Sequence, residues 1–340
     1  VGMRILGACM VPDASSTEAL IPEPPQSTAS VVSTSPNLDP ARGSRGPDAA
    51  TVVAVTRIRL DLSYDGTSFF GWARQPGLRT VQGVLEDALA TVLRTERLGL
   101  PAPRLTVAGR TDTGVHARGQ VAHLDVETEA WEAVVGRSGL TPAVSLVRRL
   151  AGVLPTDVVV HRASEVTEDF DARFSALERR YAYRVSDDAA TRDPLRRASV
   201  VWHHRPLDAE AMARAAEPVA GLHDFAAFCK PREGATTIRT VTEFSWRRPV
   251  DGPDAGLLVA TVVADAFCHH MVRALVGASL AVGEGRRAPE WLGTLLDGER
   301  GDLSEALAPP HGLTLEGVAY PREDELAARA AQTRAKRDRA

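Results

Sequence analysis

Residues 104–125 read RLTVAGRTDTGVHARGQVAHLD, and they predict two strands joined by a tight turn. Apolar and polar residues alternate before and after the turn, as in strands with one buried face. The turn, GRTDTG at 109–114, places Asp112 beside Arg110 at the end of the first strand. Asp112 therefore either caps the turn through its side chain or presents a reactive carboxylate. A carboxylate at a strand end suits nucleophilic or general-base chemistry.

Patterns on both sides of this motif predict the secondary structure of most of the chain. Predicted strands cover residues 57–64, 104–108, 121–126, 158–163, 181–185, 241–247, 257–264 and 313–319. Predicted helices cover residues 81–93, 143–153, 208–220 and 271–282, with a short helix near 223–229 and a charged helix within 324–340. The first half has the βαββαβ order of ferredoxin-like folds. We therefore expect an α+β fold in which two ferredoxin-like α/β halves, with mostly antiparallel sheets, flank a central active-site cleft.

Changes in composition divide the chain into four predicted parts. Residues 1–56 are rich in Ser, Thr, Pro and Ala and lack periodicity, which is typical of a disordered leader. Residues 57–165 form an N-terminal α+β half that carries Asp112, and residues 166–322 form a C-terminal α+β half. Residues 323–340 form a charged C-terminal tail.

The overall composition limits the class of protein. Of the 340 residues, 44% are hydrophobic and 25% are charged, as in soluble globular proteins. No apolar run approaches the roughly 18 residues of a membrane-spanning helix, so we expect no membrane contact. The three cysteines, Cys9, Cys229 and Cys268, are odd in number and lack metal-ligand spacing, which argues against a disulfide scaffold or a zinc site. We therefore expect a protein of the reducing cytoplasm.

The charge distribution leaves a nucleic-acid partner open. A formal net charge of −4 argues against such a partner, because phosphate binding usually requires a basic surface. Net charge nevertheless averages over all faces of a molecule. Arginines cluster along the sequence near Asp112 and Tyr181, where they either bind RNA or lie on solvated strand faces: Arg104, Arg110, Arg118, Arg179, Arg180 and Arg184.

Six stretches, in order, resemble the tRNA pseudouridine synthase A (TruA) family. They are LSYDGTSFFGWARQPGLRTVQGVLEDAL (62–89), GRTDTGVHARGQVAHL (109–124), FDARFSALERRYAYRV (170–185), HDFAAFCK (223–230), ADAFCHHMVRALVGASLAVGEG (264–285) and GLTLEGVAYP (312–321). The resemblance extends over residues 57–322, which is nearly the whole chain outside its two ends. It implies the pseudouridine synthase fold and an isomerase that converts uridine to pseudouridine in the anticodon stem-loop of tRNA (positions 38–40). It also implies a homodimer in which both subunits contact tRNA.

The resemblance assigns roles to four residues. Asp112 matches the family's nucleophile, and Arg273 matches the arginine that pairs with it. A guanidinium beside a carboxylate favours its charged form and fixes its orientation. Tyr181 matches the tyrosine that stacks on the flipped uracil and takes part in proton transfer, and Arg110 matches an arginine that fills the gap left by the flipped nucleotide. The isomerisation is redox-neutral, so we expect no cofactor and no metal.

Two other interpretations of Asp112 belong to different classes of protein. The tripeptide Asp112-Thr113-Gly114 also occurs in homodimeric aspartic proteases, but those sites have apolar residues before the aspartate, where this chain has Arg110 and Thr111. The second interpretation is a non-catalytic RNA-binding module built on the ferredoxin-like sheets.

For most of the histidines and aromatic residues in these motifs we expect structural roles. For His116, His123 and Trp72 we expect packing or structural hydrogen bonds. His269 and His270 are adjacent, so on a helix they could not both face one site. Tyr183 lies on the same strand face as Tyr181, and spacing alone allows either of them to be a core residue. Cys268 is expected to be a small buried residue.

Overall fold

The computed structural model describes residues 54–137, 139–230, 236–298 and 307–335, so the predicted leader lies outside it up to residue 53. Within these ranges, ten strands form one sheet. The strands are β1 (Val55–Tyr64), β2 (Thr106–Val107), β3 (His116–Glu127), β4 (Val158–Val166), β5 (Glu178–Ser186), β6 (Val201–Trp202), β7 (Gly221–Asp224), β8 (Ile238–Arg247), β9 (Leu258–Ala264) and β10 (Leu313–Ala319). The helices are α1 (Val81–Leu93), α2 (Thr95–Leu98), α3 (Thr128–Ala133), α4 (Pro142–Ala151), α5 (Ala209–Ala216), α6 (Met271–Gly283), α7 (Trp291–Leu296) and α8 (Leu326–Arg334).

The last strand of the chain lies in the middle of the sheet. The spatial order is β4-β1-β3-β10-β5-β9-β8-β7, with β2 beside β3 and β6 beside β5. Strand β10 runs parallel to β3, where Thr314 faces His116, and antiparallel to β5, where Leu315 faces Tyr181. The sheet therefore continues from the first predicted half into the second. The α+β class and the mostly antiparallel pairing are confirmed, while the domain boundaries stay a prediction.

Helices cover the sheet through apolar side chains. Helix α1 begins where predicted, and Thr80 Oγ1 accepts a hydrogen bond from Gly83 N at 3.2 Å. Its Leu85 and Leu89 are fully buried, and burying one such side chain stabilises the fold by about 1.5–3 kcal/mol. Helix α6 differs because twelve of its thirteen residues are buried, with Arg273 as the exception. A helix that is apolar on every side belongs in the core.

Several predicted elements need correction. The helix expected near residues 223–229 is wrong in its first part, where Gly221–Asp224 pairs with β8 as an edge strand and only Ala226–Phe228 forms a helical turn. The helix expected at 208–220 ends at Ala216, because Pro218 cannot donate a backbone hydrogen bond and a 3₁₀ turn follows. The sequence patterns also missed the short helices α2, α3 and α7.

The described part of the charged tail forms a packed helix. Leu326 of α8 is buried with Phe170 and Val121 in a small second core, and Arg329 Nε donates to Ala176 O at 3.2 Å. The tail therefore contacts the segment that connects β4 to β5. None of the helices in the described ranges has the length and apolar character needed to cross a membrane.

Candidate functional site

Asp112 lies in the turn between β2 and β3, and backbone hydrogen bonds fix this turn. Thr111 O accepts from Trp72 N at 3.1 Å, and Gly114 N donates to Phe69 O at 3.3 Å. Gly114 has φ 76°, a left-handed conformation that glycine adopts at little cost. Trp72 is buried, as predicted. The segment between β1 and α1 thus supports the turn that carries Asp112.

A buried hydrogen-bond network holds the two ends of the same turn. Tyr64 Oη lies 2.8 Å from Thr111 Oγ1, and Gln120 Nε2 donates to Gly109 O at 2.8 Å and to Tyr64 Oη at 3.2 Å. Burial raises the pKa of Tyr64 to about 12, so its hydroxyl keeps its proton. Sequence reasoning missed Tyr64 and Gln120 as positioning residues, although both lie within the quoted family stretches.

Three positively charged or imidazole groups surround the Asp112 carboxylate. Arg273 Nη1 lies 3.5 Å from Oδ2, His270 Nε2 lies 3.6 Å from Oδ2, and His269 Nε2 lies 3.6 Å from Oδ1. The Asp112 side chain is 25% exposed, so solvent and a ligand can reach it. A guanidinium at this distance stabilises the charged carboxylate without a short hydrogen bond to it.

Arg273 is fixed in this position by the segment that precedes β10. Its Nε donates to Ala308 O at 2.8 Å, and Ala308 N donates back to Arg273 O at 3.1 Å. Only 15% of its side chain is exposed. Arg273 is therefore not a solvated surface residue, because the other residues of α6 are buried around it.

The expectation that His269 and His270 cannot both face one site is wrong. The two residues precede α6 rather than lying on it, and His270 has a left-handed conformation with φ 70°. This turn brings both Nε2 atoms to the same carboxylate. Burial lowers the pKa of His270, and Arg273 and the neighbouring imidazole act in the same direction, while Asp112 opposes them.

A disulfide lies directly beside the histidine pair. Cys229 and Cys268 are bonded, with their Cα atoms 5.7 Å apart and a sequence separation of 39. Lys230 N donates to His269 O at 3.0 Å, which adds a second link between the two segments. The cysteine count argued against a disulfide, but these two cysteines meet because the fold brings the segment after β7 next to the start of α6.

The other two predicted site residues differ in their surroundings. Tyr181 on β5 is buried, and its ring packs edge-on against Phe267 with centroids 5.2 Å apart. Burial raises its pKa, and the nearby Asp112 charge adds to the rise. Tyr183 is also buried, and its hydroxyl donates to Pro309 O at 2.9 Å, so both tyrosines contribute to the core. Arg110 is exposed at the turn.

The arginines around Tyr181 have mainly structural contacts. Arg179 is buried and donates to Ala108 O at 2.8 Å and to Arg173 O at 2.7 Å. Arg184 is also buried and pairs with Asp254 and Glu316. Their sequence clustering therefore does not indicate an RNA surface. His116 and His123 also have structural contacts, since each accepts a backbone hydrogen bond at 3.0 Å.

This arrangement supports nucleophilic chemistry better than protease chemistry. An aspartic protease needs a second carboxylate that shares a proton with the first. Within the described ranges, the ion-pair partners of Asp112 are instead the Arg273 guanidinium and two imidazoles. The two imidazole nitrogens and one carboxylate oxygen are also donors that could bind a metal ion.

The chain is similar to known proteins over most of its length. The family model described as "tRNA pseudouridine synthase" matches residues 62–175 and 215–321. The chain belongs to the tRNA pseudouridine synthase A family. Among its relatives, tRNA pseudouridine synthase A of Streptomyces griseus is 55% identical over 278 residues, which is 82% of this chain and 93% of the relative. The protein of the same name from Frankia casuarinae is 55% identical over 284 residues, 83% of this chain and 96% of the relative. These relatives belong to an isomerase family, and this chain shares that membership.

Proposed function

We propose that this chain isomerises uridine to pseudouridine in the anticodon stem-loop of tRNA, at positions 38–40. The observation that carries the proposal is the partly exposed Asp112 carboxylate within 3.6 Å of two imidazoles and a guanidinium. Family membership supports the reaction class, because the matched relatives are named for this reaction on tRNA.

In this reaction the bond between ribose C1′ and uracil N1 breaks, and a bond between C1′ and C5 forms. The proton on C5 is released, and N1 gains a proton, so atoms and oxidation states balance without a cofactor. Asp112 acts as the nucleophile toward the bound uridine, which splits one difficult step into two easier ones. Arg273 orients the carboxylate and places a positive charge beside it.

Tyr181 and Arg110 act on the base. Because burial raises the pKa of Tyr181, its hydroxyl stays protonated and serves as a donor or a proton relay rather than as a free phenolate base. Its ring offers a face on which an extruded uracil stacks. Extraction of a base costs a few kcal/mol, least where the base is unpaired, and the exposed Arg110 side chain fills the vacated space.

The test follows the release of tritium from tRNA labelled at uracil C5. The wild-type chain is expected to release tritium and to leave a base whose carbodiimide adduct survives alkali. Asp112→Asn keeps the shape of the side chain and is expected to abolish release while tRNA affinity stays within a few-fold. Asp251→Asn, at an exposed aspartate, is the matched control. Wild-type turnover by Asp112→Asn would remove the assigned nucleophile, and tRNA binding without any modified base would favour a non-catalytic RNA-binding module.

Two further properties belong to the same proposal. We expect a homodimer in which both subunits contact one tRNA, and a cytoplasmic location where tRNA is found. Light scattering on the purified chain, with and without tRNA, measures the first property. A monomer that turns over normally would contradict it.

A further inference from the structure

Asp112 and the two histidines beside it form a set of donor atoms that resembles a metal site. One ligand atom each from Asp112, His269 and His270 lies within 4.8 Å of the other two. The two imidazole-to-carboxylate distances are 3.6 Å. In a tetrahedral zinc site with bonds of about 2.0–2.2 Å, neighbouring ligand atoms lie roughly 3.3–3.5 Å apart. The two imidazoles face different oxygens of the carboxylate, and separations within the set reach up to 4.8 Å. Side-chain rotations that close gaps on the order of 1 Å would therefore bring these atoms to coordination distance.

The backbone holds the two histidines in place before any ligand arrives. His270 O accepts from Ala274 N at 2.9 Å in the first turn of α6, and His269 O accepts from Lys230 N at 3.0 Å. The two rings contact each other at an interplanar angle of 47°, with centroids 3.9 Å apart. Their side chains are 50% and 26% exposed, so an ion can enter from solvent. Preorganised, accessible donors lose little freedom on binding an ion.

The donor types select the kind of ion. Two imidazole nitrogens and one carboxylate oxygen suit zinc and its neighbours in the first transition row, whereas Mg²⁺ and Ca²⁺ prefer oxygen ligands. Affinities of such donors generally rise from Mn²⁺ to Cu²⁺ and remain high for Zn²⁺. Arg273, 3.5 Å from Oδ2, repels any cation bound there. Binding should therefore be weaker than in a structural zinc site, and reversible.

We propose that Asp112, His269 and His270 bind Zn²⁺, and that the bound ion blocks the carboxylate. Coordination would occupy a lone pair of Asp112 and neutralise its charge. Inhibition of turnover is the part of this proposal that rests on the proposed function, since it requires Asp112 to react with substrate. Binding of the ion rests only on the geometry.

The binding test uses the untagged full-length chain, freed of metal with a chelator and then dialysed. Zn²⁺ affinity is measured by calorimetry, and Co²⁺ serves as a spectroscopic probe of coordination. His269→Gln and His270→Gln should each weaken Zn²⁺ binding by at least about tenfold. His161→Gln, at an exposed histidine whose Nε2 is 2.7 Å from Ser63 Oγ, should leave it unchanged. Equal affinity in all four proteins would overturn the site, as would a thiolate-to-cobalt band, which would assign the ion to the cysteines.

The activity test compares each protein with its own metal-free rate. Wild type and His161→Gln should lose turnover at Zn²⁺ concentrations near the measured dissociation constant and recover it with chelator. His269→Gln should need at least about tenfold more Zn²⁺ for the same fractional loss. If Zn²⁺ binds through these residues but saturating ion leaves turnover unchanged, the metal site stands and the nucleophile assignment fails. If Asp112→Asn is inactive but no Zn²⁺ binds, the metal site fails and the proposed function stands.

Discussion

Replacing Arg273 separates a positioning role from a general contribution of positive charge. The arginine uses Nη1 toward Asp112, at 3.5 Å, and Nε toward Ala308 O, at 2.8 Å. Its planar guanidinium makes both contacts at once, whereas a lysine ammonium is a single point charge. Arg273→Lys therefore keeps the charge but loses at least one of the two contacts, and Arg273→Met loses both.

The contacts of Arg273 set the expected magnitudes. A hydrogen bond from a charged donor contributes about 1.5–3 kcal/mol, so Arg273→Met should lower the free energy of unfolding by about 2–3 kcal/mol and Arg273→Lys by somewhat less. Loss of one preorganised electrostatic contact at a reacting group costs roughly 10²–10³-fold in rate. We therefore expect single-turnover tritium release to fall about 10²-fold in Arg273→Lys and further in Arg273→Met.

The assay combines single-turnover tritium release with unfolding in denaturant for each variant. Arg118→Lys is the matched control, because that arginine is exposed and pairs with Glu316 at 3.3 Å. Its substitution should change stability by no more than about 0.5 kcal/mol. Normal release by Arg273→Lys, together with a stability change within the same limit, would refute the positioning role.

Three further predictions test the structure around the site. Replacing Cys229 and Cys268 by serine should lower the free energy of unfolding by about 2–4 kcal/mol, because the bond closes a loop of 39 positions; a melting temperature of the wild type that does not respond to reductant would contradict this. Burial lowers the pKa of His123 below its usual 6.5, so as the pH falls this histidine is protonated in the unfolded chain before it is protonated in the folded protein. The free energy of unfolding should therefore fall as the pH drops from about 6.5 toward the pKa of the folded state. His123→Asn should flatten this pH dependence, as measured by thermal melts. Gly66→Ala would place a methyl carbon 2.0 Å from a backbone carbonyl oxygen, so it should lower the free energy of unfolding by about 3 kcal/mol or more. In the same unfolding assay Gly317→Ala, whose methyl carbon meets nothing within 4 Å, should change the free energy of unfolding by no more than about 1 kcal/mol.

Local patterns were sufficient to predict much of the fold. The bounds of α1 and β10 match the predicted ranges because both have clear apolar periodicity, and α1 has a polar cap. Strand β7 was missed since its four residues lack an alternating pattern, and only pairing with β8 defines it. The place of β10 between β3 and β5 also depends on pairing between distant strands. No local pattern encodes such pairing.

The predicted site was incomplete for a similar reason. The turn motif identified Asp112 as a candidate, and the family resemblance identified Arg273. The left-handed conformation of His270 could not be predicted, because only glycine is a sequence signal for that conformation. On a helix, the side chains of two adjacent histidines would point in different directions. The start of α6 at Met271 was predicted correctly, and it places both histidines before the helix, where this restriction does not apply. The Cys229–Cys268 bond likewise depends on two segments that meet only in the folded chain.

The distances around Asp112 distinguish it from the structural carboxylates of the same protein. Asp187 accepts hydrogen bonds from Arg248 at 2.8 and 2.9 Å and from Leu207 N at 3.0 Å, so its lone pairs are used in holding the fold together. The guanidinium and the two imidazoles beside Asp112 stand at 3.5–3.6 Å, which is beyond a good hydrogen bond. The guanidinium attracts the carboxylate, and none of the three groups uses its lone pairs in a close hydrogen bond. A nucleophile and a metal ligand both need a filled lone pair at an accessible oxygen, and for this reason the same carboxylate supports both proposals.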